Sequence, residues 1–316
     1  MLETCLLADD ELGVVQPLFE QVFKHPISLD LLRWKYANRR GESWMVRQDD
    51  QYLLHCGTLF RKVLVGDEHF RVIQIADLMA PPKQSGLTRQ EAPFPILLKH
   101  ILGRLPGPEN PHAIAFGFPS GRAMRLAEHV GVATAVDHWM ELDFPALRHP
   151  LAARTSELAT LGAGETPRLD ALWQAMHASL GDAPLVCRDM AYLHDRYIAY
   201  PEKSYKLLLL ESRWRKKALG FAAISCATGK PELLDIVARW DDFPEVIRAI
   251  QHWAWTQRIG GFGFWLTQGF ARQLAPFAAH CHATQFRIMG NPFSPAPFLS
   301  ATQGRWWLTG GDTDYR

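Results

Sequence analysis

One pattern of glycine and aromatic residues occurs twice in this 316-residue chain. The run FGF at 116–118 precedes a Gly-x-Ala-x-x-Leu-Ala run that begins at Gly121, and FGF at 262–264 precedes the same run beginning at Gly269. A chain of this length is long for one core and comfortable for two domains of about 150 residues. The repeat therefore predicts two copies of one domain.

A second pattern recurs in the same order. Its matched pairs are Leu32 with Leu193, Lys35 with Arg196, Tyr36 with Tyr197, Ser43 with Ser204 and Trp44 with Tyr205. Two patterns in one order favour duplication, and the alternative is that motifs as short as Phe-Gly-Phe and Leu-x-x-x-Tyr recur by chance. The matched places of Tyr36 and Tyr197 favour a repeated packing role for them over catalysis.

The composition is that of an ordinary soluble globular protein. With 34 basic and 33 acidic residues the formal net charge is +1, so no bulk field attracts nucleic acid or an anionic membrane, and we expect neither as a partner. Five widely spaced cysteines indicate reduced thiols. Since neither a secretory leader nor an apolar run of about 20 residues is present, we expect a cytoplasmic protein.

Apolar periodicity predicts the same order of elements in both halves. In the first half we expect a helix capped by Asp10, strands 44–48, 52–65 and 70–79, a helix 95–102, a strand 113–118, a helix 121–130 and a strand 132–144. In the second half we expect a helix 169–180, strands 206–212, 218–226 and 233–238, a helix 244–255, a strand 262–267, a helix 269–275 and strands 285–289 and 305–309.

This order predicts an α/β fold with a mixed sheet in each half, the fourth and fifth strands flanking a crossover helix. The stretch 145–166 is rich in proline and glycine and has weak periodicity. We therefore expect one domain over 1–148 and a second over 149–316.

Four segments carry a family likeness: 32–36 (LRWKY), 77–81 (DLMAP), 116–120 (FGFPS) with its helix up to Gly131, and 307–314 (WLTGGDTD). Together with the element order, they resemble the GNAT superfamily of CoA-dependent N-acetyltransferases, in particular its tandem members. The likeness extends over nearly the whole chain, but only a small share of the residues match.

The resemblance implies an acyl-CoA site where strands four and five of the family's order part, which here are the segments 70–79 and 113–118. The pantetheine arm would lie between them, and the pyrophosphate would sit on the loop into the next helix, where backbone N–H groups carry partial positive charge. The family's loop has Arg or Gln, then Gly three residues on, then Gly or Ala two further. Lys83 and Gly86 fit, whereas Thr88 departs. The implied binding residues are Leu78, Met79, Lys83, Gln84, Ser85, Gly86, Leu87 and Thr88.

The corresponding segment of the second half, 238–243 (ARWDDF), has no glycine and carries two carboxylates that would repel a diphosphate. We expect that this half does not bind CoA and serves as a packing partner or as a wall for the substrate.

Acyl transfer to an amine needs a base and an acid near the parted strands. Asp77, at the end of strand four, is the candidate base, acting directly or through water, and the alternative is a structural aspartate. The family often uses a Tyr on the helix after strand five as the acid. Because 121–131 lacks one, Ser120 or His129 is the candidate, with a turn or surface role as the alternative.

Other chemistries lack support in the sequence. The alternation in His280-Cys281-His282 places Cys281 on the opposite face of an extended segment, so we expect no metal site. Motifs typical of serine hydrolases, P-loop NTPases and dinucleotide-binding enzymes are missing together.

The first hypothesis is a tandem GNAT-like acyltransferase, with acetyl-CoA or another acyl-CoA as co-substrate and a small-molecule or peptide amine as acceptor admitted between the domains. A related possibility, by fold analogy alone, is a transferase that uses an aminoacyl donor. The alternative from another class is a non-catalytic protein of the same fold that binds a ligand or a partner through a degenerate CoA site. The acceptor, the acyl group and the oligomeric state stay open.

Overall fold

A computed structural model describes residues 2–49, 51–81, 93–103, 112–214, 217–227, 229–292 and 296–313. Within these residues the strands are β1 (Leu2–Leu6), β2 (Gly41–Gln48), β3 (Gln51–Val65), β4 (Glu68–Met79), β5 (His112–Gly117), β6 (Thr134–Pro145), β7 (Arg154–Leu158), β8 (Leu185–Val186), β9 (Tyr205–Glu211), β10 (Ala218–Ser225), β11 (Glu232–Ala238), β12 (Gly261–Thr267) and β13 (His280–Gly290).

The α-helices of the described residues are α1 (Val15–Phe23), α2 (Leu29–Tyr36), α3 (Pro93–Gly103), α4 (Gly121–Val130), α5 (Thr166–Leu180), α6 (Met190–Tyr197), α7 (Phe243–Thr256), α8 (Gln268–Leu274) and α9 (Ala296–Thr302). Short 3-10 helices cover Leu12–Val14, Trp240–Asp242, Ala275–Phe277 and Gly310–Asp312. The predicted α/β class and the repeated order of elements are confirmed.

Two local predictions are wrong. Asp10 does not cap the first helix: α1 is preceded by the 3-10 turn, and the carboxylate of Glu11 accepts the N–H of Ala8 instead. The segment predicted as a strand at 305–309 makes isolated backbone bridges and then tightens into the 3-10 helix Gly310–Asp312, because Thr309 and Asp312 form a reciprocal capping box.

The chain folds into two compact units. Unit 1 comprises Met1–Val63, His69–Val136 and Gln285–Gln303, and unit 2 comprises Leu64–Glu68, Asp137–Thr284 and Gly304–Arg316. Each unit thus contains a segment from the other half of the sequence. The boundary expected near residue 148 stays a prediction about where the sequence repeat divides.

The sheet of unit 1 runs β1-β2-β3-β4-β5 and then the unit 1 part of β13. β4 and β5 are parallel, whereas β13 is antiparallel to β5. Helices α3 and α4 bury one apolar face against the sheet, with Leu97 of α3 and Met124 of α4 packed among Val46, Leu54 and Ile73. Ser120 caps α4 by accepting the N–H of Ala123, and Gly131 ends the helix with φ 77°.

The sheet of unit 2 runs β6-β12-β11-β10-β9-β7, taking the unit 2 part of β6, and β11 and β12 form its parallel pair. Helices α5 and α7 supply most of its helical core, and Leu169, Leu172, Val246, Ile247 and Ile250 are buried. Pro244 lies in the first turn of α7, where the missing N–H costs nothing.

Asn291 fastens the segment after β13 to β5 in unit 1. Its side-chain Oδ1 accepts the N–H of Ala115 at 2.8 Å, and its own N–H donates to the carbonyl of Ala115 at 2.9 Å. Asn291 is 2 % exposed, so the amide oxygen replaces solvent at a buried backbone group.

We expect Asn291→Ala to lower the free energy of unfolding by about 1–3 kcal/mol, since the N–H of Ala115 loses its acceptor in a buried place. Urea unfolding followed by circular dichroism measures the change. The matched control is Gln273→Ala, whose exposed side chain donates to the carbonyl of Gly269 within α8. Equal unfolding midpoints for the two variants would contradict this role of Asn291.

Candidate functional site

The parallel strands of unit 1 part before β4 ends. Their register runs from Arg71 opposite His112 to Ile75 opposite Gly117, and β4 then continues to Met79 while β5 turns away towards α4. None of the isolated backbone bridges between described residues involves 76–79. The parting implied by the resemblance is therefore a feature of this unit.

Asp77 kinks the backbone just beyond the last paired residues. Its φ is 44°, in the left-handed region that side chains other than glycine seldom adopt, which costs on the order of 1–3 kcal/mol unless the surroundings hold it. The carbonyl of Asp77 accepts a hydrogen bond from Nδ1 of His55 at 2.7 Å. The kink thus directs this carbonyl to a side chain.

His55 is held as one neutral tautomer. Because a carbonyl can only accept, Nδ1 carries the proton, and Nε2 accepts from the hydroxyl of Ser43 at 2.9 Å. Complete burial lowers the pKa of His55 against the opposing influence of Asp77, so the imidazole stays uncharged at neutral pH.

The carboxylate of Asp77 is fully engaged. Lys35 Nζ lies 2.9 and 2.8 Å from its two oxygens, and the hydroxyl of Tyr36 donates at 2.6 Å. Burial by itself raises the pKa of Asp77, but the charge of Lys35 and the bonds from Lys35 and Tyr36 outweigh it and hold this pKa below its usual value. A carboxylate in this state is a weak proton acceptor, which favours the structural alternative over a base.

Unit 2 repeats this arrangement with other residues. The parallel register of β11 and β12 ends at Leu233 opposite Phe264, so Asp235 lies two residues past the last pair, as Asp77 does past Ile75. The hydroxyl of Tyr197 donates to Asp235 at 3.1 Å. The matched tyrosines thus perform one packing task in both units.

Each tyrosine hydroxyl also faces a glycine. A Cβ at Gly57 would overlap the hydroxyl of Tyr36, and a Cβ at Gly311 would overlap that of Tyr197. These two glycines leave room for the tyrosine–aspartate bonds.

Arg188 supplies the positive charge in unit 2, and our sequence reasoning missed it. It is fully buried, with Nε 3.2 Å from Asp235 and Nη2 2.5 Å from Asp312. Burial disfavours the guanidinium charge, but the two carboxylates outweigh this and raise the pKa of Arg188. The repeat pointed instead to Arg196, which donates to the carbonyl of Gly311 at 2.9 Å.

The C-terminal segment 306–313 occupies the parting of unit 2. Thr309 forms a backbone bridge with Leu266 of β12, and its hydroxyl donates to Asp235 of β11 at 3.2 Å. The hydroxyl of Thr267 donates to the carbonyl of Trp306 at 2.6 Å. Because these bonds reach both strands, the segment lies where they separate.

Aromatic packing closes the adjoining helix start. Trp307 contacts Trp240, Phe243 and Phe270, with ring centroids 5.8, 5.3 and 5.0 Å away. Trp240 belongs to the 3-10 turn before α7, the segment that corresponds to the family's pyrophosphate loop. Large aromatic side chains thus pack against one another beside the start of α7.

The other predicted residues are spread out. Ser120 is exposed as the cap of α4, and His129 lies in the last turn of the same helix, about 13 Å along the axis at 1.5 Å per residue. Leu78 is half-buried and Met79 is buried. Lys83, Gln84, Ser85, Gly86, Leu87 and Thr88 lie outside the described residues.

Two kinds of feature are absent from the described residues. No group of three or more His, Cys, Asp or Glu side chains is arranged to hold a metal ion there. Nor does that part of the chain contain a helix with the length and apolar character needed to span a membrane.

Neither a protein-family model nor a curated protein matches the sequence. Solved structures do match. A probable N-acyltransferase from Enterococcus faecalis superposes with a TM-score of 0.69 at 13 % identity, over 92 % of this chain and 72 % of that one. A GCN5-related N-acetyltransferase from Kribbella flavida gives 0.65 at 15 % identity, over 92 % and 70 %.

Saccharomyces cerevisiae N-myristoyltransferase with bound myristoyl-CoA gives a TM-score of 0.60 at 10 % identity, over 92 % of this chain and 82 % of that one. Identities this low are evidence of fold. The predicted resemblance is confirmed at that level: the chain has the GNAT fold, and its two units repeat one order of elements.

Proposed function

We propose that the protein is an acyl-CoA-dependent acyltransferase of the N-acetyltransferase type, and that unit 1 holds the acyl-CoA. The acceptor would be an amine on a small molecule or a peptide. The observation that carries this proposal is the parting of β4 from β5 after Ile75 and Gly117, with β4 running on to Met79.

The parting suits an extended ligand that carries amide groups. Backbone N–H and C=O groups of 76–79 on the side towards β5 are outside the β4–β5 ladder, and such groups need hydrogen-bond partners. The pantetheine arm has two amides and would add to β4 in the manner of a strand. Leu78 and Met79 would line this arm, and 83–88 would supply amides and the cation of Lys83 to the pyrophosphate.

The neighbours support an acyl-CoA as donor. The Kribbella flavida neighbour is named an N-acetyltransferase, and the yeast neighbour contains myristoyl-CoA. We propose acetyl-CoA as the first donor to test, with longer acyl-CoAs next.

Unit 2 would hold no acyl-CoA, because its own chain lies in its parting. Thr309 forms a backbone bridge with β12 and a side-chain hydrogen bond with Asp235 of β11. The ion pair of Arg188 with Asp312 holds the same segment in place. A pantetheine arm would have to displace this buried ion cluster. We therefore propose one acyl-CoA per chain.

The catalytic roles are proposals at the level of single residues. Asp77 as base would need to give up part of its bonding to Lys35 and Tyr36. Ser120 lies three residues past the last paired residue Gly117 and is the nearer candidate for the acid, while His129 lies farther along α4.

A non-catalytic binding protein of the same fold is the second candidate. The observation that favours it is the engaged carboxylate of Asp77, which holds a kinked backbone and is a weak base. Such a protein would bind acyl-CoA or another extended ligand without turnover.

We expect calorimetric titration with acetyl-CoA to show micromolar binding with one site per chain, and Gly86→Glu to abolish it, because the added carboxylate repels the diphosphate. Gly164→Glu is the matched control, since a Cβ there meets no atom within 4 Å. Two sites per chain would contradict the closed parting of unit 2. No heat with wild type would contradict acyl-CoA binding in either candidate function.

Two double variants separate a base from a backbone anchor at Asp77. Each variant replaces Asp77, by glycine in one and by alanine in the other. Each also carries Lys35→Met, because the buried ammonium of Lys35 would otherwise lose the carboxylate that balances its charge. If Asp77 anchors the kink, the glycine variant keeps acetyl-CoA binding and is more stable than the alanine variant by about 1 kcal/mol, because glycine accepts a positive φ without strain.

Calorimetry, urea unfolding and release of CoA thiol in the presence of a panel of amines measure the outcome. If Asp77 is the base, both double variants bind acetyl-CoA and neither releases thiol above the background rate. Thiol release by the glycine variant at the wild-type rate would exclude Asp77 as the base.

A further inference from the structure

We propose that unit 2 carries a surface that binds anionic lipid bilayers peripherally. We call it the basic-aromatic surface, and it consists of Leu147, Arg148, Leu151, Arg213, Trp214 and Trp255, all of them exposed. This inference goes beyond acyl transfer, since it says where the protein would work.

Three segments of unit 2 converge to form the surface. The guanidinium of Arg213, in the turn between β9 and β10, donates to the carbonyl of Pro150. The N–H of Leu147 donates to the carbonyl of Gln251 in α7 at 3.3 Å. Arg148 lies over the ring of Trp255 at the end of α7, 5.6 Å from its centroid. These contacts therefore bring together the three segments that carry the exposed apolar side chains.

Two strongly exposed, large apolar side chains belong to these segments. Trp214 is 86 % exposed and Leu151 is 79 % exposed, and each is next in sequence to a partner of the bond between Arg213 and Pro150. A tryptophan is usually well covered in a folded domain. Two apolar residues this exposed, in segments that are joined by a hydrogen bond, indicate a surface that is covered by something else.

Within the three segments themselves, every Asp, Glu, Lys or Arg residue is basic. The segments 145–154, 212–217 and 252–258 contain no Asp or Glu, while Arg148, Arg154, Arg213, Lys217 and Arg258 are exposed within them. Glu211, the acidic residue just before the turn, forms an ion pair with Arg168 at 3.3 Å, so its charge is balanced there. The net charge of +1, from which we expected no membrane partner, averages over this local excess.

The mixture of side chains favours lipid over other anionic partners. Bases of a nucleic acid could stack on the tryptophans, but Leu147 and Leu151 would add nothing to its binding. An anionic bilayer interacts favourably with all of these side chains. Tryptophan prefers the headgroup region, and leucine inserts at the boundary with the acyl chains. Arginine places its charge among the anionic headgroups while its aliphatic stem contacts apolar groups.

The test is sedimentation of the full chain with phosphatidylcholine vesicles that contain none or about a third phosphatidylglycerol. We expect binding to the anionic vesicles only, with at least a tenfold weaker partition coefficient for Leu151→Ser/Trp214→Ala. Arg148→Gln and Arg213→Gln should each weaken binding about fivefold, and 0.5 M NaCl should weaken it further.

The matched control is Leu6→Ser/Phe23→Ala, which removes two exposed apolar side chains from unit 1 and should bind like wild type. Absence of wild-type binding to anionic vesicles overturns the proposal. So does binding of single-stranded DNA by the same surface without vesicle binding, or a dimer that Leu151→Ser/Trp214→Ala abolishes without vesicle binding.

Discussion

A buried aspartate two residues beyond the last parallel strand pair organises both units. In unit 1 Asp77 is balanced by Lys35 and in unit 2 Asp235 is balanced by Arg188, with a tyrosine hydroxyl added in each. Removing one partner of such a pair typically costs 3–5 kcal/mol, because the other charge stays buried and alone. These pairs stand where the central strands separate, so the shape of each parting depends on them.

The buried aspartate cluster has different structural effects in the two units. The cluster of unit 1 holds a left-handed kink and leaves 76–79 outside the ladder with β5. The cluster of unit 2 gains Thr309 and Asp312 and fixes a chain segment in place of a ligand. Two units with one order of elements can thus differ in what lies beside their parallel strand pair.

Periodicity predicted most elements of this fold because their apolar faces are regular, as in β3 and α7. Periodicity did not predict the features that depend on contacts between particular residues or strands distant in the sequence. Asp235 lies inside the apolar run of β11, and Arg188 comes before α6, so neither position looks special in the sequence. The pairing of β13 with β5 joins segments far apart in the chain, and no local pattern encodes such a choice. The tyrosines were found because both copies kept them.

The stretch 285–313 contributes to both units. Unit 1 needs 285–303 beside β5, and unit 2 needs 306–313 between β11 and β12. During synthesis, the sheet of each unit therefore stays incomplete until these two segments have been translated. The two units therefore cannot fold strictly one after the other, and the nascent chain exposes unpaired strand edges until 285–313 has been made.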